Sequence, residues 1–478
     1  MSNLKAKTKK GLVWSAFERF GTQGVQFLFS LLLARLLAPE DYGIIAMPMI
    51  FLGLAQVFID SGFANALVRK PNLTENDLST AFWFNVFVGL VCYVVLFISS
   101  SAIASFYDTP ILAPILKITA LSTLFNPLCT VQQAILTRSI DFKKQAHVSI
   151  VGAILGGCFG VFLAYNNYGV WALALSQCLS SLYRVVMLWI ITKWKPILSW
   201  SSDSFKYLWG FGSKLMFSGI LETLYQNMYT LVIGKVYSSS SLGYYTRAQH
   251  FAQFPSLNIY GILRRVTLPV LSSIQSDETK TIRVFEKILR VTVFIIFPLM
   301  FFLIAISEPM IKILLTDKWI QTVPILQVLS FAMMWIPVDA LNLSLLTVKG
   351  RSDLFLRLEI IKKIIGLAIL IIAIKYGIIV LCSGYALYCV IEIVTDTYYS
   401  GKFYNLGFYA QIKLIYPSFL LSLVALGLVH TVNRFIGNDF LQICFAVIAF
   451  TVIIIGTSKV FRLKEYEDLM FFLKNNHE

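Results

Sequence analysis

The sequence predicts an all-α, polytopic membrane protein of about fourteen transmembrane helices, arranged as two pseudo-symmetric six-helix lobes plus a C-terminal helix pair. Three observations lead there. Fourteen apolar stretches reach spanning length, because a hydrocarbon core of about 30 Å needs roughly 20 apolar residues as a helix and holds no water for open backbone groups. Lys and Arg crowd into alternate connections, and the first half of the chain recurs in the second. With 57% hydrophobic and 14% charged residues, against about 25% charged in soluble domains, a water-soluble core is dismissed.

The expected crossings run 11–36, 43–67, 80–105, 112–136, 146–165, 168–192, 209–236, 241–271, 288–306, 321–347, 358–376, 378–399, 412–432 and 440–461. The first is interrupted by Glu18 and Arg19, is too long for a signal h-region and has no small-residue cleavage site, so it is read as a crossing. One set of connections holds Lys5, Lys7, Lys9 and Lys10, Arg69 and Lys70, then Arg138, Lys143 and Lys144. It goes on through Lys193, Lys195 and Lys206, the 264–290 stretch, Lys349 and Arg351, Lys402 and Lys413, to Lys459, Arg462 and Lys464. The opposite set has little beyond Lys312, Lys318, Lys375 and Arg434. Positive residues mark the cytoplasmic side, so both termini are expected in the cytoplasm. The formal charge of +15 would fit a nucleic-acid binder, but its carriers sit in one-sided loops, where topology and anionic headgroups account for them. The expected surroundings are membrane lipids, with no nucleic acid.

Seven cysteines are scattered singly through apolar spans without CxxC or a nearby His, and read as packing residues. No metal is expected. The chain has neither a GxxxxGK[ST] phosphate loop nor a GxSxG nucleophile elbow. No cofactor and no enzymatic step is therefore expected, and energy has to come from a proton or sodium gradient, the membrane potential or removal of product.

The repeat appears at a shift of 200, which superposes Phe17 on Phe217, Gln26 on Gln226, Leu31 on Leu231, Arg35 on Lys235 and Gly43 on Gly243. At 210, Pro114-Ile115-Leu116 meets Pro324-Ile325-Leu326, Pro127 meets Pro337 and Leu136-Thr137 meets Leu346-Thr347; a two-residue insertion then brings Asp141 onto Asp353. An even number of crossings separates the copies, so the halves share one orientation, as in parallel-repeat transporters. The expected organisation is an N-lobe at 1–192, an inter-lobe cytoplasmic linker at 193–208, a C-lobe at 209–400, and the last two crossings with a cytoplasmic tail at 401–478. The Trp, Lys and Ser of 193–208 suggest an amphipathic interfacial segment.

The opening Gly11-Leu12-Val13-Trp14, the run Leu33-Ala34-Arg35-Leu36-Leu37-Ala38-Pro39-Glu40-Asp41-Tyr42-Gly43 and the stretch Asp60-Ser61-Gly62-Phe63-Ala64-Asn65-Ala66-Leu67-Val68 resemble the amino-terminal signature of bacterial polysaccharide-repeat flippases. Leu242-Gly243-Tyr244-Tyr245-Thr246-Arg247-Ala248 resembles their second-half counterpart. These proteins form the Wzx-like branch of the multidrug/oligosaccharidyl-lipid/polysaccharide exporter superfamily. The resemblance covers most of the chain and is least distinctive over the last two crossings. It implies a V-shaped pair of lobes around a hydrophilic cavity in the bacterial cytoplasmic (inner) membrane. Alternating access would move an undecaprenyl-pyrophosphate-linked oligosaccharide between leaflets for lipopolysaccharide, capsule or exopolysaccharide assembly, alongside the polymerase and glycosyltransferases of that pathway.

Charges inside apolar spans are costly and default to functional candidates. The first, second, seventh and eighth crossings carry the densest set, and in the resembled fold these line the cleft. Arg19, Arg247, Lys214 and Arg35 are the candidate cations for a pyrophosphate head, which planar guanidinium groups suit. Arg35 and its equivalent Lys235 also fit snorkelling to the interface. Glu222, at mid-membrane depth, is the first candidate for ion coupling, with Glu18 and Asp60 beside it; Glu222 paired with Lys214 is the structural alternative. Asp60 before Ser61-Gly62 also fits the exit of a helix, and Asp339 after Pro337 a helix cap. Glu392 and Asp396 share one face and form a second coupling pair, with solvation near the helix end as the simpler account. Tyr225 and Tyr229, beside Gln226 and Asn227, are candidates for sugar contact. Two other functions stand against the flippase: a drug or cation exporter of the same fold, which would favour an acidic cavity, and a membrane enzyme of glycan assembly, which would need a large catalytic loop that the short connections lack.

Overall fold

The computed structural model describes the backbone of residues 2–474 and the side chains of residues 14–471 except 16 and 352. The loop lysines Lys5, Lys7, Lys9 and Lys10 lie outside the side chains described. Among the described residues the secondary structure is helical, without strands, and ten helical spans are long and apolar enough to cross a membrane. Four further expected crossings are helices as well, yet each carries too many charges or polar groups to pass that measure. The chain divides into two compact units, Met1–Gly243 and Tyr244–Glu478.

The first unit opens with α1 (Ser2–Leu36). Its second span is broken into α2 (Pro39–Ala46), α3 (Met49–Asp60) and α4 (Phe63–Arg69). There follow α5 (Glu75–Phe106), the fragments α6 (Leu112–Thr119), α7 (Ser122–Phe125) and α8 (Pro127–Arg138), then α9 (Phe142–Tyr165), α10 (Val170–Thr192) and α11 (Ser202–Val236). In lipid, helices associate through close packing of small residues rather than through burial of apolar surface from water. Gly152, Gly156 and Gly160 accordingly form a seam on α9 that admits Ser176 and Ser180 of α10, and Ser180 Oγ donates to Gly152 O at 3.0 Å. The other face of α9 packs on α1, where Phe29 lies over Gly157.

Helix α11 packs on α3, α4 and α5, so the seventh expected crossing belongs to the first compact unit. Glycines carry this contact too. A methyl on Gly212 would meet Ser61 O at 2.1 Å, and one on Gly219 would meet Val57 at 3.0 Å. The α3–α4 break needs this room, because Ser61 (φ 40) and Gly62 (φ 68) both adopt the left-handed conformation.

Of the 193–208 connection, the part from Ser202 onward is helical. Residues 193–201 run without helix along the first turns of α5. There Trp83 Nε1 donates to Ile197 O at 3.0 Å, Trp194 Nε1 to Glu75 Oε2 at 2.8 Å, Ile197 N to Ser79 Oγ at 3.1 Å and Ser201 N to Thr80 Oγ1 at 3.1 Å. Trp194, Phe205 and Trp209 join Phe63 and Phe82 in one aromatic core. Nearby, Arg138 donates to the carbonyls of Leu67, Lys70 and Pro71, closing the end of α4 with the charge that its terminal carbonyls prefer. Arg138, a connection cation, thus has a structural role.

The second unit begins within α12 (Ser239–Ser273), whose first turn belongs to the first unit. It continues with α13 (Glu278–Leu315), α14 (Thr322–Met333), α15 (Ile336–Val348), α16 (Ser352–Ala373), α17 (Ile378–Tyr404), α18 (Phe408–Asn433), α19 (Asp439–Thr451), α20 (Thr457–Val460) and α21 (Lys464–Lys474). Helix α13 gathers α14, α18, α19 and α21 around it, while α17 packs on α14, α15 and α16. Helix α21 follows the last expected crossing and is fastened by Arg290 Nε to Asp468 at 2.8 Å and by Lys287 over Phe471.

The repeat is visible in helix bounds. Helices α1 and α11 both have 35 residues and start 200 apart, at Ser2 and Ser202, and the next helices start at Pro39 and Ser239. Near Pro127 and Pro337, which stand within the first turns of α8 and α15, both copies interrupt a crossing. Gly43 and Gly243 make a reciprocal contact: a methyl on Gly43 would fall 1.7 Å from Ser239 O, and one on Gly243 would fall 1.8 Å from Pro39 O. Residue 43 thus meets the repeat equivalent of residue 39, and residue 39 meets that of residue 43. The copies diverge after this point, where the first is broken twice and α12 stays helical through Pro255 and Pro269.

Candidate functional site

Most of the sequence-derived candidates fall in the first unit and sit on helix surfaces. Arg19, Arg35 and Lys214 are exposed, as are Asp60 and Glu222, while Glu18 is half-buried. Glu18 Oε1 accepts from Ser149 Oγ of α9 at 3.0 Å, which ties this carboxylate to the packing of α1. Gln226 Nε2, one turn along α11, donates to Glu222. Arg35 and Lys235 hold equivalent ends of α1 and α11, and Lys235 Nζ reaches Asp108 Oδ2 at 2.8 Å, with the Phe106 ring beneath it. Lys117 lies over Phe97 at 4.7 Å.

Asp60 ends α3, but at a break inside the expected second crossing, after which the chain resumes as α4. A carboxylate at a helix C-terminus opposes the helix dipole, and here Gln56 Nε2 donates to Asp60 Oδ1 at 2.9 Å while Asn126 Nδ2 donates to Gln56 Oε1 at 2.5 Å. A polar chain therefore links α3 to the α7–α8 break.

Arg247 stands in the second unit on α12 and is buried, with 7% of its surface exposed. The densest charge constellation of this unit is centred on a residue that the sequence reading did not single out. Lys362 of α16 is 2% exposed at its side chain, and its ammonium lies 2.9 Å from Asp339 Oδ1 (α15), 2.9 Å from Glu359 Oε1, 3.1 Å from Asp396 Oδ2 and 3.9 Å from Glu392 Oε1 (α17). Three close acceptors satisfy the three ammonium donors. Asp339 makes no helix-capping bond and pairs with Lys362 instead. Asp396 is 1% exposed, so solvation at the helix end does not describe it. The signal available in sequence was Glu359 three residues before Lys362 in an apolar span, the spacing of a same-face pair.

One turn further along the same helices, Asn342 exchanges hydrogen bonds with Gln411 and accepts from Ser400 Oγ at 2.8 Å, a satisfied buried amide network. Outside the spans, Arg351 Nε and Nη2 donate to Asp353 at 2.9 and 2.7 Å and hold that carboxyl down at about 2. Among the described residues no three His, Cys, Asp or Glu side chains converge as a metal would require, and the seven cysteines are free thiols.

Comparisons with known proteins fit these observations. The chain is 26% identical over 377 residues to the lipopolysaccharide biosynthesis protein WzxC of Escherichia coli (strain K12), covering 77% of this chain and 76% of the relative. It is 25% identical over 356 residues to the teichuronic acid biosynthesis protein TuaB of Bacillus subtilis (strain 168), covering 74% of each. Among solved structures it is similar to the lipid II flippase MurJ in an inward closed conformation, with a TM-score of 0.74 at 20% identity over 96% of this chain and 100% of the other; that likeness establishes a shared fold. Residues 32–324 match the description of polysaccharide biosynthesis proteins. On a match that spans more than half its length, this chain belongs to the polysaccharide biosynthesis protein family.

Proposed function

We propose that this protein flips undecaprenyl-pyrophosphate-linked oligosaccharide repeat units across the bacterial cytoplasmic membrane, for assembly of lipopolysaccharide, capsule or exopolysaccharide. The observation that carries the reading is family membership: a polytopic helical chain whose relatives are named for building different surface polysaccharides. The step such pathways share is passage of a lipid-linked unit through the membrane. A transport role also suits a chain without a phosphate loop, nucleophile elbow or large extramembrane insertion.

In this reading α1, α11, α12 and α16 cross the membrane with the ten apolar spans, for fourteen crossings in two repeats of six and a C-terminal pair, with both termini cytoplasmic. The four are too polar to face acyl chains on all sides, and three of them carry Arg19, Lys214 and Arg247. Arg19 and Lys214, with Arg35 of the same unit, would take the pyrophosphate head through charge-assisted hydrogen bonds, while the polyprenyl tail stays in lipid. Alternation between two states of the repeats would present the site to each leaflet in turn.

Vesicles containing the purified protein and a polyprenyl-diphosphate oligosaccharide test this directly. Protein-dependent transfer between leaflets is expected, and Arg19→Ala should abolish it while the protein remains folded. Absence of transfer by the folded wild type, or unchanged transfer in Arg19→Ala and Lys214→Ala, would overturn the respective assignment.

A further inference from the structure

We propose that the Lys362 cluster is a proton-binding site, loaded and unloaded as the protein cycles; the second clause rests on the transport reading above. The site lies well inside the helical body. Lys362 is ten residues into α16, Asp339 nine from the end of α15 and Asp396 eight from the end of α17, which at 1.5 Å per residue is roughly 12–15 Å from the helix ends. Those ends lie on one side, since Lys349 Nζ sits over Tyr404 and Arg351 over Phe403. All four groups around Lys362 are therefore at one depth within the apolar spans.

The charge balance at that depth does not close with ionised groups alone. Four carboxylates surround one ammonium, a sum of −3 if every group is charged, and carboxylates crowded round one cation, with Asp396 buried among them, do not all stay ionised. Protons supply the missing positive charge with the least demand for space, and no metal-competent group of ligands is formed among the described residues. An independent observation points to where a proton resides. Asp396 spends one oxygen on Lys362, while its Oδ1 is buried with no hydrogen-bond partner. An ionised carboxylate would leave that oxygen charged and unsatisfied, whereas a protonated one turns it into a donor beside Asp339.

The surroundings agree. Tyr388 Oη donates to Glu392 Oε1 at 2.5 Å, and Tyr385 and Cys389 are the other titratable groups of α17 close to the cluster. Asp339 faces it from α15 and Glu359 from α16, and Tyr245 of α12 lies near Tyr385. Exposure is graded across the cluster, from 1% at Asp396 through 19% at Asp339 to 27% at Glu359. Glu359 and Asp339 are thus the entrance, and Asp396 is the storage end.

The test uses the full chain in phosphatidylethanolamine–phosphatidylglycerol vesicles. Infrared spectroscopy at neutral pH is expected to show a protonated carboxyl stretch that Asp396→Asn removes. The conservative variant Asp396→Glu, which keeps a carboxyl at the site and should shift the band, provides a second reading should Asp396→Asn fail to fold. A wild type with no protonated carboxyl, or a band untouched by both variants, overturns the site. Transfer of the polyprenyl-diphosphate oligosaccharide should respond to an imposed pH gradient, and the response should disappear in Asp396→Asn and Glu392→Gln. Transfer indifferent to the gradient in wild type overturns the link to the cycle. A wild type that transfers nothing counts against the flippase reading alone, since the infrared band still decides the site.

Discussion

The two units handle membrane charge in opposite ways. In the first, Arg19, Lys214 and Glu222 lie on the surfaces of long helices, and Ser149 and Gln226 donate to Glu18 and Glu222. In the second, Lys362 and Asp396 are closed off inside a bundle and bonded to one another. The difference teaches that a charged residue in an apolar span has two stable outcomes. It either keeps an exposed face, to be solvated by water or a polar substrate, or it gathers enough opposite charge to survive burial. The first outcome leaves a charge available to a ligand, and the second makes a permanent fixture whose protonation is its remaining freedom.

The comparison can be broken at the buried end first. Lys362→Ala leaves four carboxylates without their cation, and loss of one partner from a buried ionic cluster costs about 3–5 kcal/mol. Denaturant or thermal unfolding in detergent measures this, and the loss should shrink in acid, where the folded cluster takes up protons that the unfolded chain does not need. A loss below about 1 kcal/mol, the range of exposed pairs, would show that the cluster is solvated and the contrast between the units unfounded.

The reciprocal glycines come next. Gly43→Ala and Gly243→Ala each drive a methyl into a backbone carbonyl, an overpacking that costs about 1–3 kcal/mol. Similar losses at both positions would sharpen the case that the repeats meet as equivalents, while a loss at one alone would break it. Gly24→Ala, where nothing lies within 4 Å, is the control and should be neutral or slightly stabilising.

The smallest effects belong to the surface charges of the first unit. Lys235→Ala removes an ion pair whose partners are 38% and 79% exposed, worth about 0–1 kcal/mol, and Lys214→Ala should change stability by less than about 0.5 kcal/mol. Only transport should register Lys214. If its removal destabilised the fold as strongly as that of Lys362, it would be a buried structural ion and no candidate for the substrate.

Much of the fold was legible in advance. Apolar length, loop charge and the offset of 200 are properties of neighbouring residues along the chain, and they delivered the helices, their approximate bounds and the equivalence of α1 with α11. The breaks at Pro127 and Pro337 were visible as prolines at equivalent positions. The composition of the 193–208 connection suggested an interfacial segment but not its docking to Ser79 and Thr80, which depends on α5, more than 100 residues away. Asp339 was read as a helix cap and Glu392 with Asp396 as a same-face coupling pair or a solvated one, and Lys362 was passed over.

The sequence by itself determined that this protein is helical, membrane-embedded, duplicated and a polysaccharide-family member, because hydrophobic length, charge bias and motif are written in local order. Only the tertiary structure decided which charges are neutralised. Lys362 takes Asp339 from 23 residues before it and Asp396 from 34 after it, and no local pattern specifies that three helices turn those side chains toward one another. Burial energy depends on who stands beside a charge, and that is a property of packing.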